Sequence, residues 1–335
     1  MELTEQIRRK VVSDILKGKY SLGDKLPAER EMAQLTGTSR ITVRRAYAQL
    51  ERAGIITRNQ NTGTCVSSTF KGNHEEIDQI AIIATLRDPF ASDFIEEVNR
   101  TCYENDILNV LSIADMSSNC DQAELAADLA SKGVRNIIVW GYDRNFDFSI
   151  FERLRILGIN LVFFDRILPR APYADFVGLD NSAAIRVLFE KALSYSREQI
   201  IFIDIKGLSV DSNDERKAEF FALCEEHNIQ PELMHIGYLS KPSLQFAMRL
   251  LALEKAAIIC VNDSVAMAIK NYVKGPSKVY SIDGTQEAVQ AGILSYAQPM
   301  KEMAAAAVEC LKKQQKLGEK WRASEFRFKG ELLGQ

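Results

Sequence analysis

Three arginines and two hydroxyl side chains lie close together near the amino terminus. Arg30 is followed by Ser39, Arg40, Thr42 and Arg44. The guanidinium group of arginine can form paired hydrogen bonds with phosphate or with the edge of guanine, and hydroxyl groups donate hydrogen bonds to phosphate oxygens. Such residues on the first turns of a helix are typical of a helix that reads a DNA groove. Contacts to bases would specify a sequence and contacts to phosphate would only position the protein; the sequence leaves both uses open.

A second group of polar and aromatic residues lies after short apolar runs. Ligands of open parallel sheets bind beyond the carboxyl ends of the strands. Carboxylates and amides bind hydroxyl groups in pairs, and an aromatic ring packs on the apolar face of a sugar. The sequence therefore predicts a site for a polyhydroxyl ligand at these residues: Asp88, Phe90, Asp143, Arg216, Asn262 and Asp283. Each also has a structural interpretation, as a cap for Asp88 or as a core residue for Phe90.

Three helices and a hairpin must position the first group. Gly37 and Thr38 predict the tight turn before the third helix, and Ser39 predicts its N-cap. The segments 55–57 and 63–66 predict two short strands around a polar loop. Apolar residues at three- and four-residue spacing predict the inner faces of the helices: Ile7, Val11, Ile15, Met32, Leu35, Val43, Ala46, Tyr47 and Leu50.

This stretch resembles the DNA-binding domain of the GntR family. Leu26–Arg30 matches L-P-x-E-R, Ser39–Ala46 matches S-R-x-T-V-R-x-A, and Gly63–Val66 matches the G-T-x-V wing, in order and spacing. The resemblance covers residues 1–68 and implies a winged helix-turn-helix. The wing departs from the family's glycine-rich tip, since Asn61 and Thr62 precede the glycine.

The resemblance also assigns roles to individual residues. Arg30, Arg40 and Arg44 are expected to contact DNA, and the wing tip near Gly63 is expected to enter the minor groove. The full set of expected DNA contacts is Arg30, Ser39, Arg40, Thr42, Arg44 and Gly63.

Charge is divided unequally along the chain. The whole protein has 42 Lys+Arg and 45 Asp+Glu, a net charge of −3. Residues 1–70 hold 12 of these basic and 7 of these acidic residues, and the remainder holds 30 and 38. A basic amino-terminal region can bind phosphates while an acidic body stays off the duplex.

Composition and motifs narrow the class of protein. A length of 335 residues predicts two or three domains. No apolar run follows the first Met and none is long enough for a membrane span, so a cytoplasmic protein without membrane contact is expected. Six scattered cysteines and three histidines lack ligand spacing, so we expect reduced thiols, no metal and no cofactor. Neither G-x-S-x-G nor a helix-opening G-x-G-x-x-G is present, which argues against an enzyme.

After a polar linker at 69–77, short apolar runs alternate with amphipathic segments. This alternation predicts βαβ units and parallel sheets. Eight such units exceed one doubly wound sheet, so we predict two lobes with a cleft between them. The expected fold class is α/β: an amino-terminal winged helix-turn-helix and a two-lobed sensor of doubly wound parallel sheets.

Residues 78–335 resemble the effector-binding domain of the LacI family, a relative of the periplasmic sugar-binding proteins. The matching segments are Val162–Arg166, Val177–Asn181, Glu215–Phe220, Ala257–Asp263 and Ser281–Gly284. The resemblance implies that Arg216, Asn262 and Asp283 contact a sugar-like effector from the second lobe. Asp88, Phe90 and Asp143 would face it from the first lobe. The family's R-x-x-G-F has Glu219 in place of the glycine.

The same resemblance implies that the chain passes between the lobes three times. The first lobe is expected to contain about 78–178 and 299–320, and the second about 179–298 and 321–335. The helix near 300–316 would return to the first lobe, and Phe326–Lys329 would add a last strand to the second.

Together these features predict a ligand-responsive transcription regulator. It would bind a pseudo-palindromic double-stranded DNA operator as a homodimer. The resemblance to these families favours a repressor over an activator. Its effector would be a sugar, with a purine or an amino acid as the alternative. A transport-type sugar-binding protein would share the sensor but would have no use for the amino-terminal domain.

Overall fold

The computed structural model describes residues 3–59, 63–67, 76–85, 89–114, 122–143, 147–237 and 240–334. Two predicted site elements therefore lie outside the described residues: Asp88 and the tip of the wing at 60–62. Within the described ranges, every helix is too short or too polar to cross a membrane.

The amino-terminal domain contains three helices and a two-stranded wing. Its elements are α1 (Leu3–Leu16), α2 (Glu29–Thr36), α3 (Arg40–Arg52), β1 (Ile56–Asn59) and β2 (Gly63–Val66). The strands are antiparallel, with Ile56 opposite Val66 and Asn59 opposite Gly63. The hydrogen bond from Leu26 N to Thr64 O, 2.8 Å, ties the segment before α2 to this wing.

The turn between α2 and α3 forms as the sequence predicts. Gly37 ends α2 in the left-handed region at φ 64°, which a glycine adopts without strain. Val43, Ala46, Tyr47 and Leu50 form the buried face of α3. Leu35 was expected on an inner face, but 61% of it is exposed. That expectation is wrong because the eight-residue α2 buries only Met32 and Ala33.

The first lobe is a six-stranded sheet with helices on both faces. Its strand order is β13-β7-β6-β5-β3-β4, and all the pairings are parallel. The strands are β3 (Gln79–Ala84), β4 (Leu108–Ile113), β5 (Asn136–Val139), β6 (Asn160–Phe164), β7 (Asp175–Leu179) and β13 (Glu325–Phe328). The helices are α4 (Pro89–Glu104), α5 (Gln122–Ser131), α6 (Phe148–Ile156) and α12 (Met300–Leu317).

The second lobe repeats this plan with the order β14-β12-β11-β10-β8-β9. Its strands are β8 (Ile200–Lys206), β9 (Glu232–Gly237), β10 (Ala257–Cys260), β11 (Lys278–Asp283), β12 (Leu294–Ala297) and β14 (Glu331–Leu333). Its helices are α7 (Asn181–Tyr195), α8 (Asp211–Glu226), α9 (Leu244–Leu251), α10 (Asp263–Lys270) and α11 (Gln286–Gln290). Only β14, at the edge, runs antiparallel to its neighbour.

The described chain passes between the lobes after β7, after β12 and after β13. The carboxyl ends of the two sheets face each other, because β7 leads directly into α7 of the other lobe and β12 leads back to α12. The expectation that Phe326–Lys329 adds a strand to the second lobe is wrong. Residues 325–328 form β13, which pairs with β7 of the first lobe, and residues 331–333 pair with β12 instead. The expected boundary at 321 is therefore displaced to about 329–330.

Candidate functional sites

The predicted DNA-reading residues lie on the exposed side of α3 and at its start. Ser39 is the N-cap of α3 and its hydroxyl accepts from Thr42 N at 3.1 Å. The side chains of Arg40 and Arg44 are 62% and 61% exposed, and Arg30 is also exposed, at the start of α2. The helix thus presents two cations on one side while its apolar side holds the domain core.

A single carboxylate organises these cations. Glu29 accepts from Arg44 Nε at 3.1 and 3.2 Å through both of its oxygens. The guanidinium groups of Arg40 and Arg58 each lie 3.9 Å from the same carboxylate. Arg58, on the wing, also donates to the Arg44 carbonyl at 3.0 Å. We call Glu29, Arg40, Arg44 and Arg58 the arginine cluster; it joins α2, α3 and the wing.

The wing strand β2 begins at Gly63, the predicted wing contact. Its φ is +81°, a region that suits glycine, and a side chain there would press on the Lys25 aliphatic chain. The described part of the wing thus places another cation, Lys25, beside Gly63. The tip itself lies outside the described residues.

The second candidate site is the cleft between the lobes. The amino end of α8 meets the segment after β6, since the Arg166 carbonyl accepts from Asp211 N at 2.9 Å and from Ser212 N at 3.2 Å. Asp211 also binds Arg170 at 2.9 Å. These contacts hold the carboxyl ends of both sheets close together at the α8 end of the cleft.

Of the three predicted residues of the second lobe, Asn262 and Asp283 lie at strand ends and Arg216 lies in the second turn of α8; each makes hydrogen bonds within its own lobe. Arg216 is buried, donating through Nε to Asn181 Oδ1 at 2.8 Å and through Nη1 to the Val261 carbonyl at 2.7 Å. Asn262 caps α10 by accepting from Val265 N at 3.0 Å. Asp283 accepts from Gln298 Nε2 at 3.1 Å.

In the first lobe, Phe90 and Asp143 differ in exposure. Phe90 is 2% exposed and its ring centroid lies 6.3 Å from that of Trp140, which puts it in the core beside the end of β5. Asp143 is half-buried and follows the same strand. Phe90 therefore has the structural role that was its alternative, and contact with a ligand would require it to move.

Three residues outside the six predicted effector contacts stand out near the carboxyl ends of the strands. Asp165, Asn213 and Gln298 are each more than nine-tenths buried. Among the residues that the structure describes, one polar atom of each lacks a hydrogen-bond partner: Asp165 Oδ1, Asn213 Nδ2 and Gln298 Oε1. Leaving such atoms unpaired costs about 1–3 kcal/mol each, so the arrangement favours a ligand with both donors and acceptors. The sequence signal was only that Asp165 ends a strand and that Asn213 and Gln298 adjoin predicted elements.

A cavity of about 500 Å³ opens at the carboxyl ends of β8, β9 and β10. Its lining includes Asn262 and the apolar Ile205 and Ile236, with Lys241 and Ser264 as further polar groups. This volume suits a small molecule. Elsewhere, within the described ranges, His, Cys, Asp and Glu side chains do not gather in groups of three or more that could hold a metal ion.

Comparison with known proteins gives the amino-terminal domain a family. The family model described as "Bacterial regulatory proteins, gntR family" matches residues 3–66. Residues 3–66 are a gntR-family domain. The HTH-type transcriptional regulator GgaR of Escherichia coli (strain K12) is 38% identical over 76 residues. The match covers 23% of this chain and 29% of that regulator, so less than a third of the relative's length is aligned.

Solved structures match the two-lobed part. A lac repressor dimer bound to operator and the anti-inducer ONPF gives a TM-score of 0.64 at 15% identity, over 77% of this chain and 93% of that one. A solute-binding protein of an ABC transporter from Burkholderia graminis, in complex with D-arabinose, gives 0.66 at 17% identity, over 78% and 96%. The predicted fold class is confirmed: an α/β chain with an amino-terminal winged helix-turn-helix and two parallel-sheet lobes that share the fold of LacI-family repressors and periplasmic binding proteins.

Proposed function

We propose that this protein is a cytoplasmic, ligand-responsive transcription regulator that represses by binding a DNA operator through its gntR-type domain. The observation that carries the proposal is the exposed arginine face of α3 in a domain that matches this family. Arg40 and Arg44 lie in the first turns of the helix, where side chains reach base edges and phosphates. Arg30, Ser39, Thr42 and Gly63 are the further proposed contacts.

For the effector we propose a sugar-like polyol bound between the lobes. The unpaired oxygens of Asp165 and Gln298 would accept hydrogen bonds from ligand hydroxyl groups. The unpaired amide nitrogen of Asn213 would donate a hydrogen bond to a hydroxyl oxygen. Arg216, Asn262 and Asp283 are the further proposed contacts from the second lobe, and Asp88 and Asp143 those from the first lobe. Phe90, which lies in the core, would support the first lobe's side of the site and not contact the ligand directly. The solved structure with D-arabinose has this fold, which supports a sugar over a purine or an amino acid.

We further propose a homodimer. In the first lobe β4 is the edge strand opposite β13, and in the second lobe β9 is the edge strand opposite β14. Exposed apolar side chains lie on β4 and on α9, the helix that follows β9. Large exposed apolar surfaces and open strand edges mark association sites. The exposed residues are Leu108, Leu111 and Ile113 on β4, and Leu244, Met248 and Leu251 on α9. A single copy of a small domain buries too little surface for tight specific binding, whereas two copies read two half-sites.

The DNA proposal is tested by selecting bound fragments from genomic DNA and measuring affinity at several salt concentrations. Arg40→Ala and Arg44→Ala should each weaken binding to the selected fragment by about 1–3 kcal/mol. Arg45→Ala is the matched control, because Arg45 is an exposed neighbour on the same helix. Parental affinity in both variants would refute the assignment of α3 as the recognition helix.

The effector proposal is tested by thermal-shift measurements with sugars, purines and amino acids. A ligand at about 100 times its dissociation constant stabilises the folded state by about 2.7 kcal/mol. Asn213→Ala and Gln298→Ala should abolish the shift given by a sugar. Shifts with purines alone would overturn the sugar assignment, whereas the DNA proposal would stand.

A further inference from the structure

The gntR-type domain is docked on the first lobe through two helix ends. The guanidinium of Arg135, at the start of β5, donates to the carbonyl of Ala53, which is the C-cap of α3. The guanidinium of Arg153, on α6, donates to the carbonyl of Leu16, the last residue of α1. Each arginine of the lobe thus caps the carboxyl end of one helix of the domain.

The surroundings of Arg135 and Arg153 indicate that their contacts with the domain are part of the folded structure. Neither guanidinium has a carboxylate partner among the described residues, so the negative ends of α1 and α3 compensate the two charges. Burial lowers the pKa of Arg135 from its ordinary value, as expected for a cation withdrawn from water. Gly54, at φ +65°, leaves the space that Arg135 occupies, since a side chain there would overlap the guanidinium.

Apolar packing and an ion pair extend the contact. Buried residues of the domain, such as Val12 and Leu16, belong to one continuous core with Ala126 and Leu129 of α5. At its rim Arg9 binds Asp128 at 2.8 Å. The recognition side of α3 points away from this surface, because Arg40 and Arg44 remain exposed. Docking therefore fixes the orientation of the domain without covering its arginines.

Helix α5 connects the docking surface to the cleft. Its first residue, Gln122, is fully buried; Nε2 donates to the Trp140 carbonyl at 3.1 Å and Oε1 accepts from Tyr142 N at 3.3 Å. Both partners follow β5 at the carboxyl edge of the sheet. The same helix ends beside α1, about 15 Å away for ten residues at 1.5 Å each. A shift of the β5 end would be carried by α5 to the docked domain.

We propose that the first lobe holds the DNA-binding domain in one fixed orientation through the Arg135 and Arg153 caps, and that α5 transmits the state of the cleft to it through Gln122. This inference rests on the proposed function, because it describes how effector binding in the cleft would change DNA binding. In a dimer, the two docked domains would present their recognition helices at one spacing. A rearrangement of β5 would change that spacing, and with it the affinity for a two-half-site operator.

The test measures the distance between domain and lobe in the full-length protein by pulsed electron paramagnetic resonance. Spin labels are placed at two exposed positions, Leu35→Cys on α2 and Ala305→Cys on α12, with Cys65 and Cys120 replaced by serine. The parent should give one narrow distance distribution. The Arg135→Gln/Arg153→Gln variant should lose it and give a broad one. Arg197→Gln is the matched control, because Arg197 also donates to a helix C-cap carbonyl, that of His227 in the second lobe.

Gln122→Ala tests transmission, since the hydrogen bonds that the structure describes for Gln122 go to Trp140 and Tyr142 of the first lobe. This variant should shift or broaden the distribution while its circular dichroism and cooperative melting stay those of the parent. A broad distribution in the parent, or a narrow one in the double arginine variant, would overturn the docking. An unchanged distribution in Gln122→Ala would overturn the role of α5. These distance measurements use no DNA. If the domain docks on the lobe but the protein binds no genomic fragment, the proposed function is refuted and the docking still stands.

Discussion

Arg44 rests on Glu29 with its guanidinium Nε 3.1 and 3.2 Å from the two carboxylate oxygens. The contact links the first residue of α2 to the exposed side of α3, fifteen residues later. Glu29 also lies within 4 Å of Arg40 and Arg58. Three cations that would otherwise repel each other are therefore held on one surface, with their charge reduced before DNA arrives.

Replacing Glu29 with Gln should lower sequence specificity. The change removes the carboxylate that orients Arg44, so the bound fragment should lose about 1–3 kcal/mol, comparable with one bidentate contact. Binding to unrelated DNA should rise slightly, because the domain gains a net positive charge. The measurement is the ratio of the two affinities at fixed salt, with Glu31→Gln, exposed on the same helix, as control. An unchanged ratio would show that Glu29 does not position Arg44.

Removing the Asp263 carboxylate should destabilise the second lobe. Asp263 is buried and accepts from Ser295 Oγ at 2.6 Å, from Thr285 N and Oγ1 at 2.7 and 2.8 Å, and from Ser281 Oγ. Asp263→Ala should lower the free energy of unfolding by about 3 kcal/mol or more, since each buried donor left unpaired costs about 1–3 kcal/mol. Urea unfolding measures this loss.

The control for Asp263 is Asp147→Ala. Asp147 caps α6 through one bond from Ser149 N at 2.9 Å, so its loss should cost about 1 kcal/mol. Equal costs for the two variants would mean that the Asp263 network does not stabilise β11 and β12.

A charge on the open edge of β4 should dissociate the proposed dimer. Leu111→Lys places an ammonium group among exposed apolar side chains without disturbing the buried face of the sheet. Ile156→Lys, on an exposed site of α6, is the control. Sedimentation equilibrium should give monomer for the first variant and dimer for the second. A dimeric Leu111→Lys protein would exclude this edge from the interface.

Local signals in the sequence predicted most of the fold. The amino-terminal turn follows from Gly37 and Ser39, and the parallel strands follow from continuous apolar runs. Strands β7, β12 and β14 were not predicted, although β7 and β12 are no shorter than β5 and β10, which were. The partner of β13 depends on how the chain returns between lobes, a long-range property that no local pattern records.

The candidate site was predicted less completely. Strand ends identified Asn262 and Asp283, and the start of the following helix identified Arg216. The sequence did not show that each side chain would form hydrogen bonds within its own lobe. The unpaired atoms of Asn213 and Gln298 are a property of packing, visible only once their neighbours are placed. Glu219 shows the same limit: in place of the expected glycine, its largely buried side chain binds Arg186 at 2.6 Å. The Glu29 contact joins residues on two helices, so sequence spacing does not show it either.

Two carboxylates, one from each lobe, lie close enough for their charges to interact. Asp93 lies on the first turns of α4 in the first lobe, and Glu287 lies at the start of α11 in the second. Burial, and then the charge of Glu287 with those of Glu96 and Glu97, raises the pKa of Asp93 above its ordinary value of 3.8. The influence of Glu287 means that the two lobes sense each other's charge at this rim.

A raised pKa makes the charged form of Asp93 unfavourable in the folded protein. Its destabilising effect is complete above the raised pKa and is relieved as pH falls through that value toward 3.8. Asp93→Asn should therefore melt at a higher temperature than the parent at about pH 7, and the difference should shrink as the solution is acidified. Glu287→Gln should give part of the same gain. The double variant should gain less than the sum, because the two charges repel each other.

Glu96→Gln separates repulsion between the lobes from repulsion within α4. Glu96 shares the helix with Asp93 but binds Arg100 at 3.2 Å, so its removal also costs an ion pair and should bring little gain. If Asp93→Asn and Glu287→Gln were strictly additive at every pH, the two carboxylates would not interact across the cleft. Non-additivity that disappears in acid would instead identify this pair as a pH-dependent barrier to closure.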